Sequence, residues 1–80
     1  MTQRATLLFR FPPPTARAVA AALAPETGTD VPKTSSRVAL DGDAVRVDVE
    51  AEDLSSLRAA VNSYVRWVDA AARAAALGAP

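Results

Sequence analysis

No cysteine and no histidine occur in these 80 residues. Without cysteine there is neither a disulfide framework nor a thiolate metal site. Without histidine, the commonest general base and the commonest metal ligand are both missing. Large side chains are scarce, with two Phe, one Tyr, one Trp and one Met. Half of the residues are apolar, but much of that half is alanine, which buries little area. The isolated chain therefore has a thin stability margin, and small domains of this kind often gain stability by association. An excess of one charge is also missing: nine basic residues face nine acidic ones. Overall charge thus does not announce nucleic-acid binding. No uncharged run reaches the 18 residues a membrane span needs. The opening residues, MTQRA, lack the long apolar run of a secretory signal. The expectation is a single cytoplasmic domain over residues 1–80, with no membrane association.

What remains is organised. Residues 4–11, RATLLFRF, place Ala5, Leu7, Phe9 and Phe11 at period two, with Thr6 and Arg10 opposite and Leu8 as an apolar exception. That predicts a strand with one buried face, ended by Pro12-Pro13-Pro14. Residues 14–24 are strong helix formers, with proline suited to the first turn and Pro25 as a stop. Ala16, Val19 and Leu23 share one side of this helix, and Arg17 is its single charge, so its outer face looks covered. Residues 25–36 read as a loop, rich in Pro, Gly, Ser and Thr.

Residues 37–50, RVALDGDAVRVDVE, predict a hairpin. A two-residue turn at Gly42-Asp43 pairs Leu40 with Val45, Val38 with Val47 and Arg37 with Asp48. Moving the turn to Asp41-Gly42 would drive Asp43 inward, so that register is rejected. Asp53 is a good N-cap for a last helix. Its core stripe runs through Leu57, Val61, Tyr64, Val68, Ala72 and Ala75, and Gly78 and Pro80 mark its end.

The element order is β-α-β-β-α. It predicts an α+β fold, a three-stranded sheet with two helices on one face: a ferredoxin-like unit lacking its last strand. Applied to the crossover, the handedness rule places the first strand beside the third and parallel to it. The first strand is then an open apolar edge, an aggregation hazard unless covered, and a second copy is one simple cover. Leu8, Phe9 and Arg10 are the candidate dimer residues.

Two further strips follow when the last helix is projected at roughly 100° per residue. One is polar: Arg58, Asn62, Arg66, Asp69 and Arg73. The other is small except for one large aromatic: Ser56, Ala60, Ser63, Trp67, Ala70 and Ala74. Small residues admit another backbone closely, and a tryptophan among them suits a partner anchor. The competing reading packs Trp67 on the first helix or the loop. Ala60, Asn62, Ser63, Arg66, Trp67 and Ala70 are the candidate partner contacts. Asn62 has a bland alternative as a solvated or capping side chain.

Arg4, Arg10, Lys33, Arg37 and Arg46 cluster around the predicted outer sheet face, with Lys33 and Arg37 as candidate RNA contacts. Asp41, Asp48 and Glu50 nearby favour ordinary surface charge. Catalysis has little support. Glu50, Glu52 and Asp53 border a helix start, where acids belong for dipole reasons alone. There is no glycine-rich phosphate loop, nucleophile elbow or metal cluster. An acylphosphatase-like phosphate loop after the first strand would meet three prolines here. Neither a cofactor nor catalytic residues are expected.

The segment VDVEAEDLSSLRAAVNSYVRWV, residues 47–68, resembles the small dimerising, Pcc-type subunit of the KEOPS complex. The strand–helix–strand–strand–helix order of that family covers nearly the whole chain. The resemblance implies a non-catalytic subunit. KEOPS makes the threonylcarbamoyl modification on the adenosine beside the anticodon of tRNAs reading ANN codons. The small subunit dimerises, bridges two catalytic ATPase-fold subunits docked on its two helices, and assists tRNA binding. By that resemblance Leu57, Arg58, Asn62, Ser63 and Trp67 lie in the matching helix motif. The alternative reading is a stand-alone ferredoxin-like RNA-binding or regulatory module.

Overall fold

The computed structural model describes residues 2–24 and 33–78. The stop at Pro25, most of the predicted loop and Pro80 lie outside the described residues. The elements are β1 (Gln3–Arg10), α1 (Pro13–Leu23), β2 (Thr34–Asp41), β3 (Ala44–Ala51) and α2 (Leu54–Gly78). The architecture is the expected α+β arrangement: an open three-stranded sheet with the two helices packed together on one face.

The hairpin has the predicted register, with Leu40 opposite Val45, Val38 opposite Val47 and Arg37 opposite Asp48. Gly42 carries a φ of 63° and Asp43 does not share the positive region, as a II′ turn requires of its two central residues. Two features depart from expectation. Residues 34–36 continue β2 instead of ending a loop, because Thr34, Ser35 and Ser36 pair with Ala51, Glu50 and Val49. The strand order is β1-β3-β2, and β1 runs antiparallel to β3, correcting the parallel assignment. The crossover joins β1 to β2, so those two strands share a direction. The hairpin then returns β3 between them, opposed to both. β1 remains an edge, and so does β2.

Period-two alternation sorts the strands as it should. Val45, Val47 and Val49 of the central strand are essentially inaccessible. They meet Ala16, Val19 and Leu23 of α1 and Ala60, Tyr64 and Val68 of α2. Leu7 and Phe9 of β1, and Phe11 just beyond it, are only half buried, because an edge strand has cover on one side. Leu40 keeps its predicted partner but is 44% exposed at the far end of the other edge. Tyr64 supplies a polar link at the margin of the core. Its hydroxyl lies 2.6 Å from that of Ser36, tying α2 to β2.

Asp53 caps α2 as predicted. Its carboxylate accepts the Ser56 backbone N–H at 2.7 Å, and its carbonyl takes the Leu57 N–H. The Ser56 bonds, aided by Lys33, hold the Asp53 pKa below its ordinary value of 3.8. A depressed carboxylate contributes stability above its unfolded pKa and loses it as pH falls through the folded one. Asp53→Ala should therefore melt below wild type at neutral pH. The difference should close once the pH passes below the folded pKa, as thermal melts by circular dichroism would show.

Candidate functional site

Three surfaces emerge from this packing. The first is the exposed side of the helix layer. α1 has four exposed alanines, Ala18, Ala21, Ala22 and, just past its last turn, Ala24, beside exposed Arg17. On α2, Ala59, Ala70, Ala74 and Ala76 are exposed beside Arg58, Asn62, Arg66, Asp69 and Arg73. Asp69 pairs with Arg73 at 3.1 Å, one turn on. The 25 residues of α2 span roughly 37 Å, against roughly 26 Å for an eight-residue strand. Its last turns overhang the sheet, where alanines predominate and Leu77 is 88% exposed.

The candidate contacts fare differently on this surface. Ala60 is 2% exposed and belongs to the core of this chain, so it presents nothing to a neighbour. Trp67 is half buried, packs on the core and stands edge-on to Tyr64, with ring centroids 5.0 Å apart. Ser63 is also half buried, whereas Asn62, Arg66 and Ala70 are exposed. The small-residue strip is thus divided between closing the interior and facing outward. A helical projection counts residues around one axis and cannot show where a second helix lies.

The second surface is the β1 edge with the flank of α2 beside it. α2 packs chiefly on β3 and β1, with a lighter contact to β2 through Tyr64, and α1 packs on β3 and β2. One flank of α2 therefore faces α1 and the other stands over the β1 edge. Ser63 and Val65 lie roughly 100° to either side of Tyr64. Ser63 is half buried, while Val65 is 46% exposed and Leu54 54% exposed. The Ser63–Trp67 flank is the one α1 covers. Leu54, Val61 and Val65 form the open flank above β1; in sequence Val61 belongs to the core stripe and Val65 to none of the three strips.

The outer sheet face is different again. Arg4 meets Glu50 at 2.8 Å, Arg10 meets Asp43 at 3.2 Å and Arg46 meets Asp48 at 3.2 Å. The Thr6 hydroxyl donates to Asp48 at 2.8 Å. That bond, with Arg46 and Arg37, lowers the Asp48 pKa against a smaller opposing effect of burial. The five cations expected to cluster are thus largely matched by carboxylates. Arg37 and Lys33 are exposed, Arg37 on this face and Lys33 at the start of β2 with a φ of 65°. A shallow depression of about 470 Å³ lies between the strands here, lined by Arg4, Thr6, Arg37, Arg46 and Asp48 among others. Leu8 is 56% exposed on the same face, Arg10 is exposed, and Phe9 points to the core side.

Among the described residues no group of His, Cys, Asp or Glu is placed to hold a metal ion. No described helix is long and apolar enough to cross a membrane. In comparison with known proteins, residues 4–76 match the family described as transcription factor Pcc1. No curated protein matches the chain.

Proposed function

The chain belongs to the Pcc1 family, a family of KEOPS subunits tied to tRNA processing, and from that premise we propose a non-catalytic scaffold. In this reading it forms a homodimer and bridges two catalytic ATPase-fold subunits of KEOPS. Lys33 and Arg37 contribute contacts to tRNA bound by the complex. The observation that carries the proposal is the pair of alanine-rich helix faces lying side by side in solvent, on a sheet whose edge is open. Exposed small residues let a partner's helices approach closely and bury backbone and methyl groups together.

The two interfaces are separable. Dimerisation uses β1, because its edge is unpaired and the apolar flank of α2 continues it. The outer sheet face is a poorer choice, since stacking there would desolvate its ion pairs. If a two-fold axis perpendicular to the sheet relates the copies, both helix layers lie on the same side and are free for partners. Antiparallel β1 pairing in that symmetry requires paired residue numbers to sum to an even value, so that core-side residues meet core-side residues.

Mixing the protein with the catalytic KEOPS subunit of the same organism tests the proposal. Light scattering should give a two-plus-two assembly. A free monomer beside an unbound catalytic subunit would overturn it. Ala70→Arg, at an exposed position, should weaken the complex by about tenfold or more, corresponding to ~1.4 kcal/mol or more, with the melting temperature unchanged. Calorimetric titration reads the first quantity and circular dichroism the second.

A further inference from the structure

The chain is neutral as a whole, but its charges are segregated. The helices carry four arginines, Arg17, Arg58, Arg66 and Arg73, against the single acid Asp69. The strands and hairpin turn balance Arg4, Arg10, Arg37 and Arg46 against Asp41, Asp43, Asp48 and Glu50. All four helix arginines are exposed, and Arg17, Arg58 and Arg66 have no ion-pair partner among the described residues. The cationic excess therefore sits on the surface that the proposed scaffold role assigns to docking.

Resting on that role, we infer that the helix layer selects an acidic partner surface. It fits one or two amphipathic helices bearing Asp or Glu along the margins of a small, apolar stripe. The partner's stripe seats against Ala18, Ala21, Ala59 and Ala70, and its carboxylates reach Arg17, Arg58 and Arg66. Arginine suits this work, because its planar fork binds carboxylate in two-pronged fashion and is weakly hydrated. Nucleic acid fits less well. Phosphates would engage the arginines but leave the intervening alanines and Leu77 uncovered, and the aromatics that would stack bases, Tyr64 and Trp67, are drawn into the core. Steering by like-signed arginines also makes the association rate sensitive to salt.

The test is titration of the catalytic KEOPS subunit with wild type and with Arg58→Glu/Arg66→Glu, at several ionic strengths. Arg58→Lys/Arg66→Lys serves as the charge-preserving control. The expected result is binding that weakens with salt in wild type. The glutamate pair should lose tenfold or more at low salt with a flatter salt dependence, and the lysine pair should lie between them. Circular dichroism should show all three folded, since both positions are solvent-exposed. Equal affinities and equal salt slopes would overturn the inference while leaving the scaffold role intact. Complete absence of binding in wild type would overturn both. A glutamate pair that bound the protein normally but lost affinity for tRNA would show that the arginines serve phosphate, and would also overturn it.

Discussion

Tyr64→Ala should be the most damaging single substitution in the chain, costing about 3–5 kcal/mol. The ring is 3% exposed, packs among the central valines and meets Trp67 edge-on. Its removal leaves a cavity that the rigid strand β3 and helix α1 do not close. It also deletes the bond to Ser36 that fastens α2 to an edge strand. An 80-residue domain has roughly 4–12 kcal/mol in all, so the variant should be partly unfolded at ambient temperature. Tyr64→Phe separates the two contributions. It keeps the ring and loses the hydroxyl, and should cost only about 0.5–1.5 kcal/mol. Urea unfolding followed by Trp67 fluorescence measures both. Equal losses in the two variants would mean that the hydroxyl bond, and not the ring, dominates.

Val65→Glu should separate the dimer while leaving the monomer folded. Val65 is nearly half exposed on the flank of α2 that stands above the β1 edge. In a dimer continued through β1, the two Val65 flanks approach each other across the two-fold axis. A carboxylate there loses water without gaining a partner and faces its own symmetry mate. Central interface positions of this kind are worth about 2–4 kcal/mol, a weakening of roughly 30- to 1,000-fold in the dissociation constant. Sedimentation across a dilution series would show the shift to monomer, and the thermal melt of the monomeric fraction should show a native transition. A Val65→Glu protein that remained dimeric at the wild-type concentration midpoint would remove this flank from the interface. Glu at Leu8, on the outer face, should have a smaller effect, because that side chain points away from the helix layer.

These two results bear on different links of one chain of cause. Tyr64 holds the helix layer on the sheet. In the proposed dimer, Val65 decides whether two such layers come to lie side by side. The functional proposal requires both, since a scaffold that bridges two catalytic subunits needs each helix pair intact and the pairs joined.

Much of the fold was legible in local pattern. Alternation along RATLLFRF and along VRVDVE marks the buried faces of β1 and β3, because successive strand side chains point to opposite sides. Gly42 sets the hairpin register, since only a turn beginning there keeps Val45 and Val47 inward. Asp53 marks the start of α2 by a bond within one turn. The family was legible in the motif of α2, which the match over residues 4–76 bears out. Each of these signals resides in residues close in sequence, where spacing alone fixes geometry.

The burial of Ala60 and the division of α2 into a flank facing α1 and a flank over an open edge were set at longer range. They depend on where α1 comes to rest, and helix placement is decided by the summed fit of many weak apolar contacts, with no single residue that encodes it. The same holds for Ser36. Its composition suggests a loop, yet pairing with Val49 and a hydroxyl bond to Tyr64 make it strand. The segregation of charge has the same origin. A neutral composition says nothing of which arginines lack acidic neighbours: cross-strand pairing brings Arg4 to Glu50, two-residue alternation along β3 puts Arg46 beside Asp48, and Asp69 is taken up by Arg73, which leaves Arg58 and Arg66 without an ion-pair partner among the described residues.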